Sequence, residues 1–261
     1  MAKKKIGIYT TLESTANNKV EDLYLIVDKE SIVFSVKHKQ KNEFVAFEHF
    51  VNNADNTGWH QLVAYLQNNS KLIQGIYGNI FFIWNSTRFV LTKKQIKEDT
   101  LLYQQELNLL HGVLNDEELY TTPYDDHFVL VYSVPDALST ILSRSFPTGV
   151  WHHYTEYVLA AEGDNNALVY LFENYFCIRL LKEGRTQLIN YFPIGGNDQN
   201  SYVILNACSQ LKLDLNEISL QVWGYNSVQH EFVSTLRSYF KSIEIMEGPH
   251  QQPIYSTYFI F

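Results

Sequence analysis

The sequence predicts a mixed α/β fold built from two similar lobes, and three observations lead there. The chain of 261 residues is 46% hydrophobic and 18% charged, a globular balance that excludes a disordered, collagenous or coiled-coil protein. Aromatic residues make up 15% of it, and with abundant Val and Ile they favour strands. Runs of strand character come in threes, twice over, and each triplet precedes apolar residues at helical spacing.

The first triplet is Leu23–Asp28, Ser31–His38 and Glu43–Phe50, joined by two tight connections. After Asp55-Asn56-Thr57-Gly58 come Trp59, Leu62, Val63 and Leu66, so Asp55 or Thr57 is expected to cap a helix ending near Asn68-Asn69. A buried strand follows over Ile76–Trp84. A helix over Thr100–Leu114, a strand over His127–Val134, a helix over Pro135–Ser145 and the extended Val150–His153 come next, ahead of a further helix.

The second triplet is Ala167–Glu173, Tyr175–Lys182 and Arg185–Phe192. Asp198 is then expected to cap a helix whose Val203, Leu205, Ala207, Cys208 and Leu211 face inward. Ser219–Trp223 reads as a strand and Val228–Phe240 as a helix. The alternating Ile254–Phe261, opened by Pro253, reads as a strand at a sheet edge. Asp28 and Glu173 stand 145 residues apart, and Asp55 and Asp198 143 apart, which predicts an internal duplication. The turn-forming Glu162-Gly163-Asp164-Asn165 marks the division: residues 20–163 form the first lobe and 164–261 the second, with a cleft between them. Two copies of a three-strand meander, a helix, then strand and helix describe the ribonuclease-H-like fold as it is doubled in actin-like ATPases.

Charge and composition bound the function. Twenty Lys+Arg against 28 Asp+Glu give a net charge of −8, which disfavours partners rich in phosphate, whether nucleic acid or an anionic membrane. The longest apolar run, Gly75–Trp84, is far below the roughly 20 residues of a spanning helix, so no membrane insertion is expected. Met1–Glu13 is too short and too polar in its apolar part for a secretory signal, and Cys177 and Cys208 form no disulfide or metal spacing. Both read as reduced core thiols of a cytoplasmic protein.

Phe146-Pro147 with Trp151-His152-His153, then Ala167–Ile178, Ser201–Leu213 and Gly224 to Phe240, together resemble the domain-of-unknown-function family 3822 of Bacteroidetes-type bacteria, a divergent actin-like ATPase group. The resemblance spans most of Val20–Pro249 and is concentrated from Phe146 onward. It implies a fold and no established reaction. In an actin-like ATPase the phosphates sit in two hairpins, where an Asp precedes glycines whose bare backbone lets the phosphate oxygens approach. By this resemblance the first hairpin is Asp28-Lys29-Glu30-Ser31 and the second Glu173-Asn174-Tyr175-Phe176. The nucleoside turn corresponds to Trp223-Gly224-Tyr225-Asn226-Ser227. Asp28, Lys29, Glu173, Asn174 and Gly224 are thus vestigial nucleotide positions, and each also has an ordinary use as a turn residue. Glu30 and Glu173 place negative charge, and Tyr175 and Phe176 bulk, where glycine would admit phosphate.

Other motifs carry less. His152-His153 are neighbours on a strand and point to opposite faces, so no metal site is expected from them. Gly195-Gly196 before a helix lacks the Lys-Ser or Lys-Thr of a phosphate loop. Asp116-Glu117-Glu118 and Asp125-Asp126 read as solvated loop carboxylates. The expectation is therefore a non-catalytic actin-like module, a pseudo-ATPase with no catalytic residues and no cofactor. It would act as a scaffold for a protein partner or for a second copy of the chain. The alternatives are an ATP-dependent kinase or ATPase with degenerate phosphate motifs, and a small-molecule sensor using the cleft.

Overall fold

Near-continuous apolar runs build the first sheet, the pattern expected of strands covered on both faces. The computed structural model describes residues 2–9, 20–52, 58–94, 100–113, 115–161, 163–227, 230–248 and 253–261. The chain divides into two compact units, Met1–Glu156 and Tyr157–Phe261.

In the first unit, β2 (Glu21–Val27), β3 (Ser31–His38) and β4 (Glu43–Asn52) form an antiparallel meander, with Leu25 opposite Phe34 and Ile32 opposite Phe50. β5 (Ile80–Trp84) runs parallel to β2, and β9 (Val150–His153) parallel to β5. α1 (Trp59–Asn69) and α3 (Asp136–Ser145) contribute Leu62, Val63, Leu66, Leu138 and Leu142 to the core that also holds Leu23, Phe34, Phe50 and Phe82. Gly58 stands at the N-cap of α1, and the expected caps Asp55 and Thr57 lie outside the described residues.

One strand of this sheet has no counterpart in the sequence reading. β1 (Ala2–Tyr9) pairs antiparallel with β4 at the sheet edge. It is tied down by Glu48, whose side chain is fully buried and accepts hydrogen bonds from Lys4 Nζ, Tyr9 OH, Ser70 Oγ and the Lys71 amide. These partners hold the Glu48 carboxyl below its usual range against the opposing effect of burial.

β5 begins four residues later than expected. Gly78 N and Asn79 O are spent on Glu21 O and Leu23 N, and Ile76 is 65% exposed, so the run from Ile76 turns onto β2 before it joins the ladder. Between β5 and β9 the chain inserts a three-stranded antiparallel sheet ordered β6 (Phe89–Lys93), β8 (Phe128–Pro135), β7 (Glu117–Pro123). Tyr103 of α2 (Thr100–His111) packs with Val129 and Val131 of that sheet, and Leu107 of the same helix is buried.

The second unit repeats the order of the first sheet. β10 (Asn166–Leu171), β11 (Tyr175–Lys182) and β12 (Arg185–Pro193) form an antiparallel meander. β13 (Ser219–Trp223) lies parallel to β10, and β14 (Ser242–Ile245) parallel to β13. Read from the meander outward, both sheets thus run third, second, first, then two parallel strands. α5 (Asn197–Gln210) buries Ile204 and Cys208 against Val169, Phe176 and Val222, while Val203, Leu205, Ala207 and Leu211 are only partly buried. Its N-cap is Gly196, and Asp198 sits in the first turn without capping it. Cys177 and Cys208 are both free and buried.

The passage from the first compact unit to the second falls within α4 (Tyr154–Ala160). Glu156 is held in the first unit, accepting from His153 N and Thr122 Oγ1, whereas Val158 O and Ala161 O accept from Arg179 Nη1 in the second. Of the helix expected over Val228–Phe240, Val228 and Gln229 lie outside the described residues, and the described part holds α6 (Phe232–Leu236), after which the amides of Ser238 and Tyr239 bond three residues back and tighten the last turn. The C-terminal strand is instead a 3-10 turn over Pro253–Phe259. Pro253 suits a first helical position, and the Ser256 hydroxyl reaches the carbonyl of Pro253, a local bond that competes with extension.

Candidate functional site

Each candidate residue is set by the turn it occupies. In the β2–β3 hairpin, Asp28 is buried and curls into its own turn. Its Oδ1 accepts from the amides of Glu30 at 2.7 Å and Ser31 at 2.5 Å, and its Oδ2 accepts from Ser31 Oγ at 2.9 Å. Burial nevertheless pushes its carboxyl up to about 6, with these hydrogen bonds opposing the rise. Lys29 and Glu30 are exposed at the tip.

The β10–β11 hairpin closes through Phe172 N on Tyr175 O, and Glu173 and Asn174 are exposed. The rings of Phe172 and Tyr175 stack at 4.8 Å beside this turn. Phe176, expected to crowd the turn, points into the core between Phe192 and Phe232. The bulk beside the turn is therefore Phe172 with Tyr175.

Gly224 follows β13 with φ of +76°, the left-handed region that glycine alone enters without strain. A Cβ there would stand 2.3 Å from the carbonyl oxygen of Leu171 and 2.9 Å from Thr257 Cγ2. The Gly224 amide donates to Ser256 Oγ at 2.7 Å, so the C-terminal turn takes the backbone donor at the position expected to correspond to the nucleoside turn. The same turn sets Tyr258 edge-on to Phe172 at 6.2 Å, and the charge of Glu173 acts on Tyr255. Glu173, Asn174 and Gly224 are in this way joined within the second unit, while Asp28 and Lys29 share the first. Ser256 was invisible as a site residue in the sequence, since it reaches Gly224 from 32 positions away.

The remaining motifs resolve as structure. His153 is buried with Nε2 at 3.1 Å from Ser86 O, and burial pushes its imidazole down to about 3. His152 turns the other way, with Nδ1 2.8 Å from Glu156 Oε2. Asn200 closes the Gly195-Gly196 turn by accepting from Gly195 N and donating to Gly195 O. Glu117 and Glu118, expected in a solvated loop, lie in β7. Glu117 binds the buried Arg88 at 3.0 Å, and Glu118 accepts from Tyr120 OH and Ser139 Oγ. Among the described residues no three His, Cys, Asp or Glu side chains gather as metal ligands, and no helix is long and apolar enough to cross a membrane.

Comparison with known proteins places this geometry. Residues 11–243 match the family described as Protein of unknown function (DUF3822). The chain belongs to that family. A Bacteroides thetaiotaomicron protein, described as having an actin-like ATPase fold and unknown function, is similar at 13% identity over 94% of this chain and 97% of that one, with a TM-score of 0.76. A chain of the PilM–PilN type IV pilus biogenesis complex is similar at 11% identity over 92% of this chain and 96% of that one, TM-score 0.57. The cytoplasmic domain of EpsL, an inner membrane component of the type II secretion system of Vibrio cholerae, is similar at 11% identity, covering 92% and 93%, TM-score 0.51. No curated protein matches the sequence. The DUF3822 chain thus has the actin-like ATPase fold.

Proposed function

We propose that this DUF3822 protein is an internally duplicated, non-catalytic actin-like module, a pseudo-ATPase that acts as a cytoplasmic scaffold for protein partners. The carrying observation is Asp28. A carboxylate that organises Mg²⁺ through water must present its oxygens outward, whereas both oxygens of Asp28 accept from the two residues that close its turn, Glu30 and Ser31. Glu30 beside it and the Phe172–Tyr175 pair at the second hairpin add charge and bulk where phosphate needs bare backbone. The repeated strand order of the two sheets supports duplication. Two free, buried thiols support a reducing compartment.

The partner-binding half of the proposal is supported by α2. Leu101, Leu102, Leu109, Leu110 and Val113, in and just after this helix, are 42–85% exposed, more apolar surface than one helix of a solitary protein ordinarily presents. The helix is not loosely docked. Arg88 donates to Asn108 Oδ1 and Gly112 O at its end, so its orientation is fixed and the leucines stay outward. The names of the pilus and secretion neighbours support an assembly role by analogy of fold alone.

Isothermal titration with millimolar Mg-ATP is expected to give no saturable heat. A saturable heat weakened by Asp28→Ala would instead establish nucleotide binding at the first hairpin and revive the kinase or ATPase reading. Affinity capture from native lysate, with the wild type and with a Leu102→Gln/Leu109→Gln variant side by side, is expected to return proteins on the first that are missing from the second. Identical captures would remove α2 from the interaction surface.

A further inference from the structure

The last residues of the chain are held the way a bound peptide is held. Ser256 and Thr257 have no exposed surface, and Tyr258 is 6% exposed. Three separate parts of the second unit grip them. Gly224 N donates to Ser256 Oγ, Phe172 takes the edge of Tyr258, and Tyr157 meets Phe261 at 4.7 Å with the rings nearly perpendicular. The fit is shaped as well as sticky, because the missing Cβ of Gly224 is what lets Thr257 approach.

We propose that Gly224, Phe172 and Tyr157 form a docking site for a short turn bearing a hydroxyl between aromatic rings. Residues 253–261 fill that site in cis, and the same turn of a second copy can fill it in trans. The second copy is the occupant because its C-terminal turn is the one segment whose complementarity to the site is displayed atom by atom. Only six residues, 247–252, separate Met246, whose amide is bonded to Val222 O, from Pro253. A linker that short gives the cis turn an effective concentration on the order of millimolar, so trans docking waits until the cis turn is released. Exchange of an identical element between copies then joins two chains without any new contact. This deepens the scaffold reading by naming a partner segment, and it rests on the site being free of nucleotide.

The test uses the full chain with a protease site inserted after Gly248, cut after folding. The probe is a fluorescent peptide of residues 253–261 carrying two added lysines for solubility. The cut protein is expected to bind it saturably. A peptide with Ser256→Ala is expected to bind at least tenfold more weakly, and uncut wild type to bind neither at micromolar concentration. Equal binding of both peptides, or no binding by a cut protein that keeps its circular dichroism, would overturn the proposal. If cutting unfolds the chain, the uncut Ser256→Ala/Tyr258→Ala variant serves instead. It is expected to bind the wild-type peptide where the wild-type chain does not, and equal failure of both would overturn the proposal. Mg-ATP is titrated into the same cut sample. Nucleotide binding there would defeat the pseudo-ATPase reading, whereas peptide docking stands or falls on its own result.

Discussion

Replacing Gly224 by alanine is expected to destabilise the second unit by about 3–5 kcal/mol. Two costs add at this position. The backbone sits at φ +76°, where an L-residue is strained by about 1–2 kcal/mol. The new methyl would then meet the carbonyl oxygen of Leu171 at 2.3 Å, and the backbone of a strand residue paired with Phe176 yields far less readily than the tip of a flexible side chain. Relief would require β13 or the C-terminal turn to move, and moving the turn surrenders the Ser256 bond and the burial of Thr257 and Tyr258. Gly196 is the control in the same unit. Its φ is −65° and a Cβ there would meet nothing within 4 Å, so Gly196→Ala is expected to stay within about 1 kcal/mol of the wild type, the small cost being that of alanine at an N-cap. Urea unfolding followed by tryptophan fluorescence distinguishes them. Equal losses at the two glycines would show that neither the dihedral nor the docked turn governs Gly224.

The same residue shows where the sequence was legible and where it was not. A glycine at a strand-to-turn junction was readable from Trp223-Gly224 alone, because its cause is local. Its partner was not, since the Ser256 contact depends on a chain end arriving from 32 residues away, and Ile254–Phe261 has the composition of a strand. Propensity lost there to a local Ser256–Pro253 bond and to a site that accepts a compact turn. The two meanders were legible because strands covered on both faces carry near-continuous apolar runs, broken only by Ser35 within Ile32–Val36 and by Arg179 within Phe176–Leu181. β1 and β7 were missed because their runs are polar. Lys4 and Glu117 look solvated in sequence, and only the fold supplies Glu48 to the one and Arg88 to the other. Of the candidate site, the residue types at both hairpins were readable, but not the inward curl of Asp28 or the turn of Phe176 into the core.

Asp28 yields the second large effect, and its sign is opposite to that of most buried polar substitutions. The folded-state carboxyl is raised to about 6 from 3.8, so the native state holds the proton more tightly than the unfolded chain does. Stability linked to this group is therefore fully present below about pH 4 and is lost as pH rises through about 6. By pH 7 the loss is on the order of 3 kcal/mol, from about two pKa units at 1.36 kcal/mol each. The amide that Asp28→Asn introduces would keep an oxygen for the backbone N–H groups of Glu30 and Ser31 and would present an NH₂ to Ser31 Oγ, which can accept. It would carry no charge to desolvate. Asp28→Asn is accordingly expected to match the wild type near pH 4 and to exceed it by about 2–3 kcal/mol at pH 7, measured as the difference between urea midpoints across that range. A variant that loses ground to the wild type as pH rises would mean that the ionised carboxylate is stabilised in the fold. That outcome would reopen the first hairpin as a cation-organising site and would make the Mg-ATP titration the decisive next measurement.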